Sequence, residues 1–335
     1  MPAAAQNELV SLDDIRSAAL RLHGLAVHTP LQRIPQSDLA AAGLHLPFTL
    51  SIKREDLQPI GSFKVRGACN YLKQLSPDEL SRGVISYSSG NHAQGVAFGA
   101  RALGVPATIV MPSIAPQIKV DATRALGATV VIAGIGSSER RLRAEELART
   151  HGYTIVPPYN HAGIIAGAGT CGLEIAADDP ALDCVLTPVG GGGLLSGTSA
   201  AVKNLLPSAR VFGVEPELAA DAAASFREHH VVELTGEQTA RTMADGLRTQ
   251  SVGDLNLRHL LAFVDGILTV SEDEIARAMR LLERLLGVMP EPSGAVAFAA
   301  AALHPERLAP ARHVAVVLSG GNLDPAVRAQ VTASA

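Results

Sequence analysis

From Gly83 to Val156 the chain repeats one unit: a short apolar run, a loop, and a helix-length segment closed by glycine. Val84–Tyr87, Ala107–Met111, Thr129–Ile132 and Tyr153–Val156 read as strands. Ala93–Leu103, Ile118–Leu126 and Ser138–His151 read as helices, stopped at Gly104, Gly127 and Gly152. Helix after strand with glycine stops predicts parallel βαβ units, and a block of this size can form a lobe of its own.

The flanks carry the same alphabet in longer form. Ser11–Leu25 reads as an amphipathic helix with Ser11 as N-cap before Asp13 and Asp14. His28-Thr29-Pro30-Leu31 leads into an extended segment, and Phe48–Lys53 alternates like a strand. After Pro157-Pro158 come a helix over Ala166–Ala177, an apolar strand over Cys184–Pro188, and a helix running to Leu205. Val211–Val214 is a further strand, Ser271–Leu286 a long amphipathic helix, and Val314–Leu318 a last buried strand. With 335 residues, 47% of them hydrophobic, the chain can build two domains or one large body with a lobe. A formal net charge of −4 gives no basic footprint and argues against nucleic acid as a partner. Cys69, Cys171 and Cys184 form no CxxC pair, which fits a reducing, cytoplasmic setting. Met1–Asp14 lacks a cationic apolar leader, and no apolar run is long enough to cross a membrane.

Chemistry concentrates where strands meet loops. Lys64 follows Ser62 and Phe63 at the start of a helix-like run. A lysine held in a cavity there loses solvation, its pKa falls, and the amine becomes a nucleophile or base; a surface lysine is the bland alternative. Gly190-Gly191-Gly192-Gly193 lies between an apolar strand and a helix. Such a run turns backbone N–H groups inward and adds the positive end of the helix, a site for a phosphate. It matches neither GxGxxG nor the Walker pattern. Ser88-Ser89-Gly90-Asn91-His92 supplies hydroxyls, an amide and backbone donors for a carboxylate. Ser319-Gly320-Gly321-Asn322 ends a third strand in the same manner. Open α/β sheets bind ligands beyond the carboxyl ends of their strands, so these loops point to one shared crevice.

Taken together, Ser62-Phe63-Lys64-Val65-Arg66-Gly67-Ala68, Ser88–His92, Gly190–Gly193 and Ser319–Asn322 resemble the pyridoxal-phosphate enzymes of the threonine dehydratase and serine racemase family. The motifs keep the family's order and spacing over nearly the whole chain. The resemblance implies an α/β fold of type II, with two open, twisted, mostly parallel sheets flanked by helices. The cofactor, pyridoxal 5'-phosphate, is expected in the cleft between a large domain (1–76 and 160–335) and an inserted small domain (77–159). It further implies that Lys64 carries the cofactor as a Schiff base, with Phe63 beside the ring. Asn91 is expected on the ring hydroxyl, Gly190, Gly191, Gly192, Gly193 and Leu194 on the phosphate, and Ser319 on the pyridine nitrogen. Gly246, in Ala244-Asp245-Gly246, and Glu291, in Glu291-Pro292-Ser293-Gly294, are expected to flank the ring. A neutral hydroxyl at the ring nitrogen makes the ring a weaker electron sink than a carboxylate partner does, which favours expulsion of a β-substituent.

The implied reaction is β-elimination from a β-hydroxy amino acid such as L-threonine or L-serine, giving a 2-oxo acid and ammonia. Lys64 is the expected base, and Ser88, Ser89, Asn91 and His92 the expected carboxylate site. In the racemase branch the residue at Ser89 is the acid/base on the opposite ring face, so serine racemisation is the alternative; dehydration of 3-hydroxyaspartate or phenylserine is another. The Tyr159–Gly163 segment is shorter than in the animal racemases. Arg140 reads as a solvated helix arginine, although a second substrate carboxylate would call for such a residue. Glu215, Ala219 and Asp221 offer two carboxylates and a carbonyl, which suit Mg2+ (or Ca2+ or Mn2+), or else form an acidic loop without an ion. A homodimer is expected. The C-terminal regulatory domain of biosynthetic threonine dehydratases is not expected, since little chain follows Asn322.

Overall fold

A computed structural model describes residues 8–88, 90–113, 115, 117–134 and 137–333. Among these residues, ten strands make two sheets. They are β1 (Leu31–Ile34), β2 (Thr49–Arg54), β3 (Val84–Tyr87), β4 (Ala107–Met111), β5 (Thr129–Ile132), β6 (Thr154–Ile155), β7 (Cys184–Pro188), β8 (Arg210–Pro216), β9 (Gly266–Val270) and β10 (His313–Leu318). The larger sheet has the order β1-β2-β10-β7-β8-β9, and the smaller one β5-β4-β3-β6. All pairs in the smaller sheet are parallel. In the larger sheet only β1 runs antiparallel, against β2. The sheet is therefore mixed at one edge and parallel elsewhere.

The local causes are those the residues advertise. Ser11 caps the helix Leu12–Leu22 through a reciprocal capping box with Asp14, and the helix ends three residues earlier than its periodicity predicts. Ser76 with Glu79 and Ser271 with Glu274 repeat the device. Gly104 and Gly287 close their helices in the left-handed conformation. β7 is buried throughout and β10 over all but its first residue, as a strand covered by helices on both faces must be.

One core lies on the face of the large sheet covered by the helices Glu272–Leu286 and Pro292–Leu303. A second lies on the opposite face beneath the helices Ala162–Asp178, Gly193–Leu205 and Asp254–Phe263. The small sheet has its own core, and Ala68 and Leu72 of the helix Lys64–Leu72 belong to it. Val65 and Cys69 of the same helix pack instead against Leu22 and Ile60. The helix that begins at Lys64 thus joins the two sheet units.

Candidate active site

Four strand-end loops converge on the start of that helix. Ser62 pairs with Gly320 in an isolated antiparallel bridge, and Phe63 N–H donates to the Ser319 carbonyl at 3.0 Å. The end of β10 is thereby stitched to the Lys64 turn. Lys64 Nζ donates to the Pro158 carbonyl at 3.1 Å and lies 5.2 Å from the Phe63 ring centroid. Burial without an anionic partner pulls its pKa down to about 8. The amine therefore gives up its proton far more readily than an ordinary lysine, and roughly a tenth of it is uncharged at pH 7.

Arg66, two residues on, is almost fully buried and holds the first turn in place. Its guanidinium donates twice to Glu55 and twice to Glu174, all four at 2.7 Å, with Thr170 at 3.0 Å. Burial alone would lower its pKa, but the two carboxylates hold it well above the ordinary value. Glu55 is likewise kept below its ordinary value, burial being overcome by Arg66. Lys53, fully buried, extends the network through Glu174 at 2.7 Å. Two bidentate pairs fix a guanidinium in angle as well as position.

The glycine run stands at the end of β7. Among the described residues no carbonyl or side chain accepts from the N–H groups of Gly190, Gly191, Gly192 or Gly193. The run opens the helix Gly193–Leu205, so its free donors share the positive end of that helix. Gly191 is required by space, since a Cβ there would fall 2.2 Å from the Tyr159 ring. Thr249 Oγ1 is buried without a partner and lies 3.3 Å from where a Cβ on Gly190 would stand. Free backbone donors beside an unpartnered hydroxyl suit a phosphate-sized anion. Leu194, which follows the run, is buried in the core.

At the end of β3, Ser88 Oγ accepts from Gly90 N–H at 3.3 Å, and Asn91 opens the helix Asn91–Leu103. Ser89 lies outside the described residues. Asn91 Nδ2 donates to Glu291 Oε1 at 2.7 Å, and Asn322 Nδ2 donates to Asn91 Oδ1 at 2.7 Å. His92 is buried, with Nε2 3.3 Å from the Val156 carbonyl. Burial, and then the charge of Lys64, push its pKa down to about 3, so the ring is neutral. Glu291 is pushed up to about 7 by burial and then by Asp245, against the opposing Asn91 hydrogen bond and Lys119. Lys119 pairs with Asp245, and Gly246 N–H donates to Ser293 Oγ at 2.9 Å. Ser319 is buried, and its hydroxyl has no hydrogen-bond partner among the described residues.

Glu215, Ala219 and Asp221 form a separate cluster where β8 runs into the helix Asp221–Glu228. Glu215 accepts from Ala223 and Ala222 N–H at 2.7 and 3.2 Å. Both carboxylate oxygens of Asp221 are buried with no well-formed hydrogen bond. Burial raises Asp221 to about 7, opposed only by its own N–H and that of Val252 lying near. Glu215 is raised well above its ordinary value, by burial and then by Asp221. The described residues hold no group of three His, Cys, Asp or Glu side chains arranged for a metal.

Three features escape sequence reasoning. Tyr159 lies against the glycine run, and its only advance sign is a rare aromatic after two prolines in a chain with 3% aromatics. Arg66 stands in the lysine motif, yet its partners lie 11 and 108 residues away. Arg140 departs from the solvated reading: it is partly buried, and burial lowers its pKa.

Known proteins carry the same architecture. A family model described as "Pyridoxal-phosphate dependent enzyme" matches residues 24–320. The chain is 43% identical over 272 residues to an L-threo-3-hydroxyaspartate ammonia-lyase of Saccharomyces cerevisiae, covering 81% of this chain and 82% of the relative. It is 37% identical over 318 residues to a serine racemase of Schizosaccharomyces pombe, covering 94% and 95%. The solved structure of a processed threonine deaminase isoform 2 from Solanum lycopersicum superposes with a TM-score of 0.88 at 35% identity, over 98% of this chain and 96% of that one. On the family match and on identities of this size across most of both chains, the protein belongs to the pyridoxal-phosphate-dependent enzymes.

Proposed function

We propose that the protein is a pyridoxal-phosphate-dependent ammonia-lyase. Its substrate class is the small β-hydroxy amino acids, threonine, serine or 3-hydroxyaspartate, and its products are a 2-oxo acid and ammonia. The observation that carries the reading is Lys64, an amine brought to about 8 and held at the Pro158 carbonyl, next to the Tyr159 that lies against the glycine run. When bound, the cofactor supplies an electron sink that labilises the substrate's α-proton and β-substituent.

In this reading the free N–H groups of Gly190–Gly193 take the cofactor phosphate, with Leu194 closing the wall behind. Phe63, Gly246 and Glu291 would border the ring, and the Ser319 hydroxyl would meet its nitrogen. A neutral partner there adds no positive charge to the ring, which favours loss of a leaving group over accumulation of charge. Lys64 serves as the base for the α-proton, as its low proton affinity allows. Asn91, His92 and Ala93 begin a helix, their own N–H groups have no acceptors among the described residues, and with Ser88 they receive the substrate carboxylate. His92 takes part as a neutral group. Ser89 is assigned to the same loop, and as the acid/base on the opposite face wherever racemisation accompanies elimination.

Glu215 and Asp221, with the Ala219 carbonyl, are assigned to a divalent cation such as Mg2+, Ca2+ or Mn2+. Two buried carboxylates side by side, one without hydrogen bonds, must hold either a proton or a cation. The cation would be structural here. A homodimer in the cytoplasm, built from a large domain (1–76 and 160–335) and a small one (77–159), completes the reading. All three cysteines are free and buried, and no described helix is long and apolar enough to cross a membrane.

The test is 2-oxo acid release from a panel of β-hydroxy amino acids, with chiral analysis of recovered serine. Lys64→Ala should lose both turnover and the yellow colour of the bound cofactor. A Lys64→Ala protein that keeps either would end the proposal.

A further inference from the structure

The amide of Asn322 can be oriented without reference to any ligand. Its Nδ2 lies 2.9 Å from the Ile60 carbonyl and 2.7 Å from Asn91 Oδ1. A backbone carbonyl only accepts, so the nitrogen must face Ile60 and its second proton goes to Asn91. The atom of Asn91 that meets it is therefore the oxygen. That turns Asn91 Nδ2 towards Glu291, whose Oε1 accepts at 2.7 Å. Asn91 keeps one amide proton, which has no acceptor among the described residues. The chain Ile60, Asn322, Asn91, Glu291 thus has a fixed sense, set at the Ile60 end by a carbonyl that can only accept.

The fold invests in this chain. Gly61 has φ +68°, and a Cβ there would lie 2.6 Å from Asn322 Oδ1, so only glycine lets Asn322 sit against the turn before Lys64. Gly321 N–H donates to the Gly61 carbonyl at 2.9 Å and ties the two loops together. Asn91 begins the helix after β3 of the small sheet, whereas Asn322 follows β10 of the large one. Turning the Asn91 amide over would bring two N–H groups face to face at Asn322 and two oxygens face to face at Glu291. The Asn322 end, fixed by the Ile60 carbonyl, forbids the flip.

We propose that Asn322 is a positioning residue which, with Glu291, holds Asn91 as an obligate hydrogen-bond donor to the ring oxygen of the cofactor. This rests on the assignment of Asn91 to that oxygen. A donor there stabilises the deprotonated oxygen and so the yellow form of the bound cofactor. Asn322 touches no reacting atom and acts through Asn91 alone.

The test uses the holoenzyme and reads its absorbance spectrum and the rate of cofactor loss on dialysis. Asn322→Asp keeps the size and removes both donors. It should move absorbance from the yellow form to the ultraviolet-absorbing form and speed cofactor loss at least tenfold. Asn322→Ala, which adds no charge, should shift the spectrum in the same direction and serves if the aspartate variant fails to fold. Asn91→Ala should give the same spectral change, and combining it with Asn322→Ala should add little, because the two act as one unit. A lower melting temperature with an unshifted spectrum in both Asn322 variants would overturn the proposal while leaving Asn91 in place. If Asn91→Ala leaves the spectrum unshifted, the assignment of Asn91 itself fails and the proposal with it.

Discussion

Asp221→Asn in the absence of metal is the most exacting test of the cluster at the end of β8. The Asp221 carboxyl is moved from its ordinary value of 3.8 to about 7. At about 1.36 kcal/mol per tenfold change in proton affinity, its ionised form is disfavoured in the fold by on the order of 4 kcal/mol. The sign follows from linkage. Below pH 3.8 the group is protonated folded and unfolded, and its contribution to stability is fully present. As pH rises towards 7 the unfolded chain ionises while the fold resists, and stability is lost across that window. Glu215 and Tyr159 feel the same charge, Glu215 most strongly. An asparagine imitates the protonated acid and sets an amide donor beside Glu215.

The assay is thermal melting of wild type and Asp221→Asn from pH 4 to 8 in EDTA, repeated with Mg2+. For 335 residues, at about 2.1 cal/mol/K per residue, a change of that size moves the midpoint by roughly 6 °C. Wild type should fall relative to the variant by about that amount between pH 4 and pH 8, and added metal should restore wild type alone. Parallel pH profiles in EDTA, or equal stabilisation of both proteins by Mg2+, would refute the reasoning.

Three further outcomes follow from particular contacts. Gly191→Ala places a methyl 2.2 Å from the Tyr159 ring, so the glycine run must deform; cofactor affinity, read by fluorescence titration, should fall at least tenfold with little change in melting. Arg66→Met strands Glu55, which has no exposed surface, and Glu174; urea unfolding should show a loss of about 3–5 kcal/mol, the usual cost of leaving a buried charge unpaired. Arg140 lies early in the helix Ser137–His151, which follows the carboxyl end of β5 where ligands of open sheets bind. Arg140→Ala should lower kcat/KM for 3-hydroxyaspartate at least tenfold more than for threonine, and equal losses would return the arginine to a structural role.

What could be read in advance was local. The strands at 84–87, 107–111 and 129–132 coincide with their expected bounds, because short apolar runs between glycine stops leave little freedom. Tyr153–Val156 shrinks to two paired residues, and Val211–Val214 grows at both ends, since pairing with neighbours decides strand ends. The helix Pro292–Leu303 escaped because it is buried almost throughout and shows no polar face to give it a period. β1 answers to the extended segment expected after Pro30, whereas β9, at the opposite edge of the large sheet, had no distinctive alternation. The motif residues were visible as types, while their partners were not. Asn91 meets Glu291 and Asn322 at separations of 200 and 231 residues, and a hydrogen bond across such a gap leaves no local pattern.

The two kinds of contact around Lys64 divide the work of the site. Its helix is anchored through Arg66 by buried, bidentate, charge-assisted bonds to Glu55 and Glu174, the strongest class of polar contact a fold can offer. The loop after β3 is held by weaker means, the amide chain through Asn91, and the turn at Asp245 by a partly exposed pair with Lys119. Neutral hydrogen bonds of this kind each contribute on the order of 1 kcal/mol, and exposed ion pairs less. Lys64 is therefore fixed to the large sheet, while the loop proposed to take the substrate carboxylate can adjust at small cost. A base that must meet one proton gains from rigidity, and a loop that must admit and release amino acids gains from weak seams. Changes in the amide chain should accordingly alter cofactor electronics and substrate binding before global stability, whereas changes at Arg66 should do the reverse.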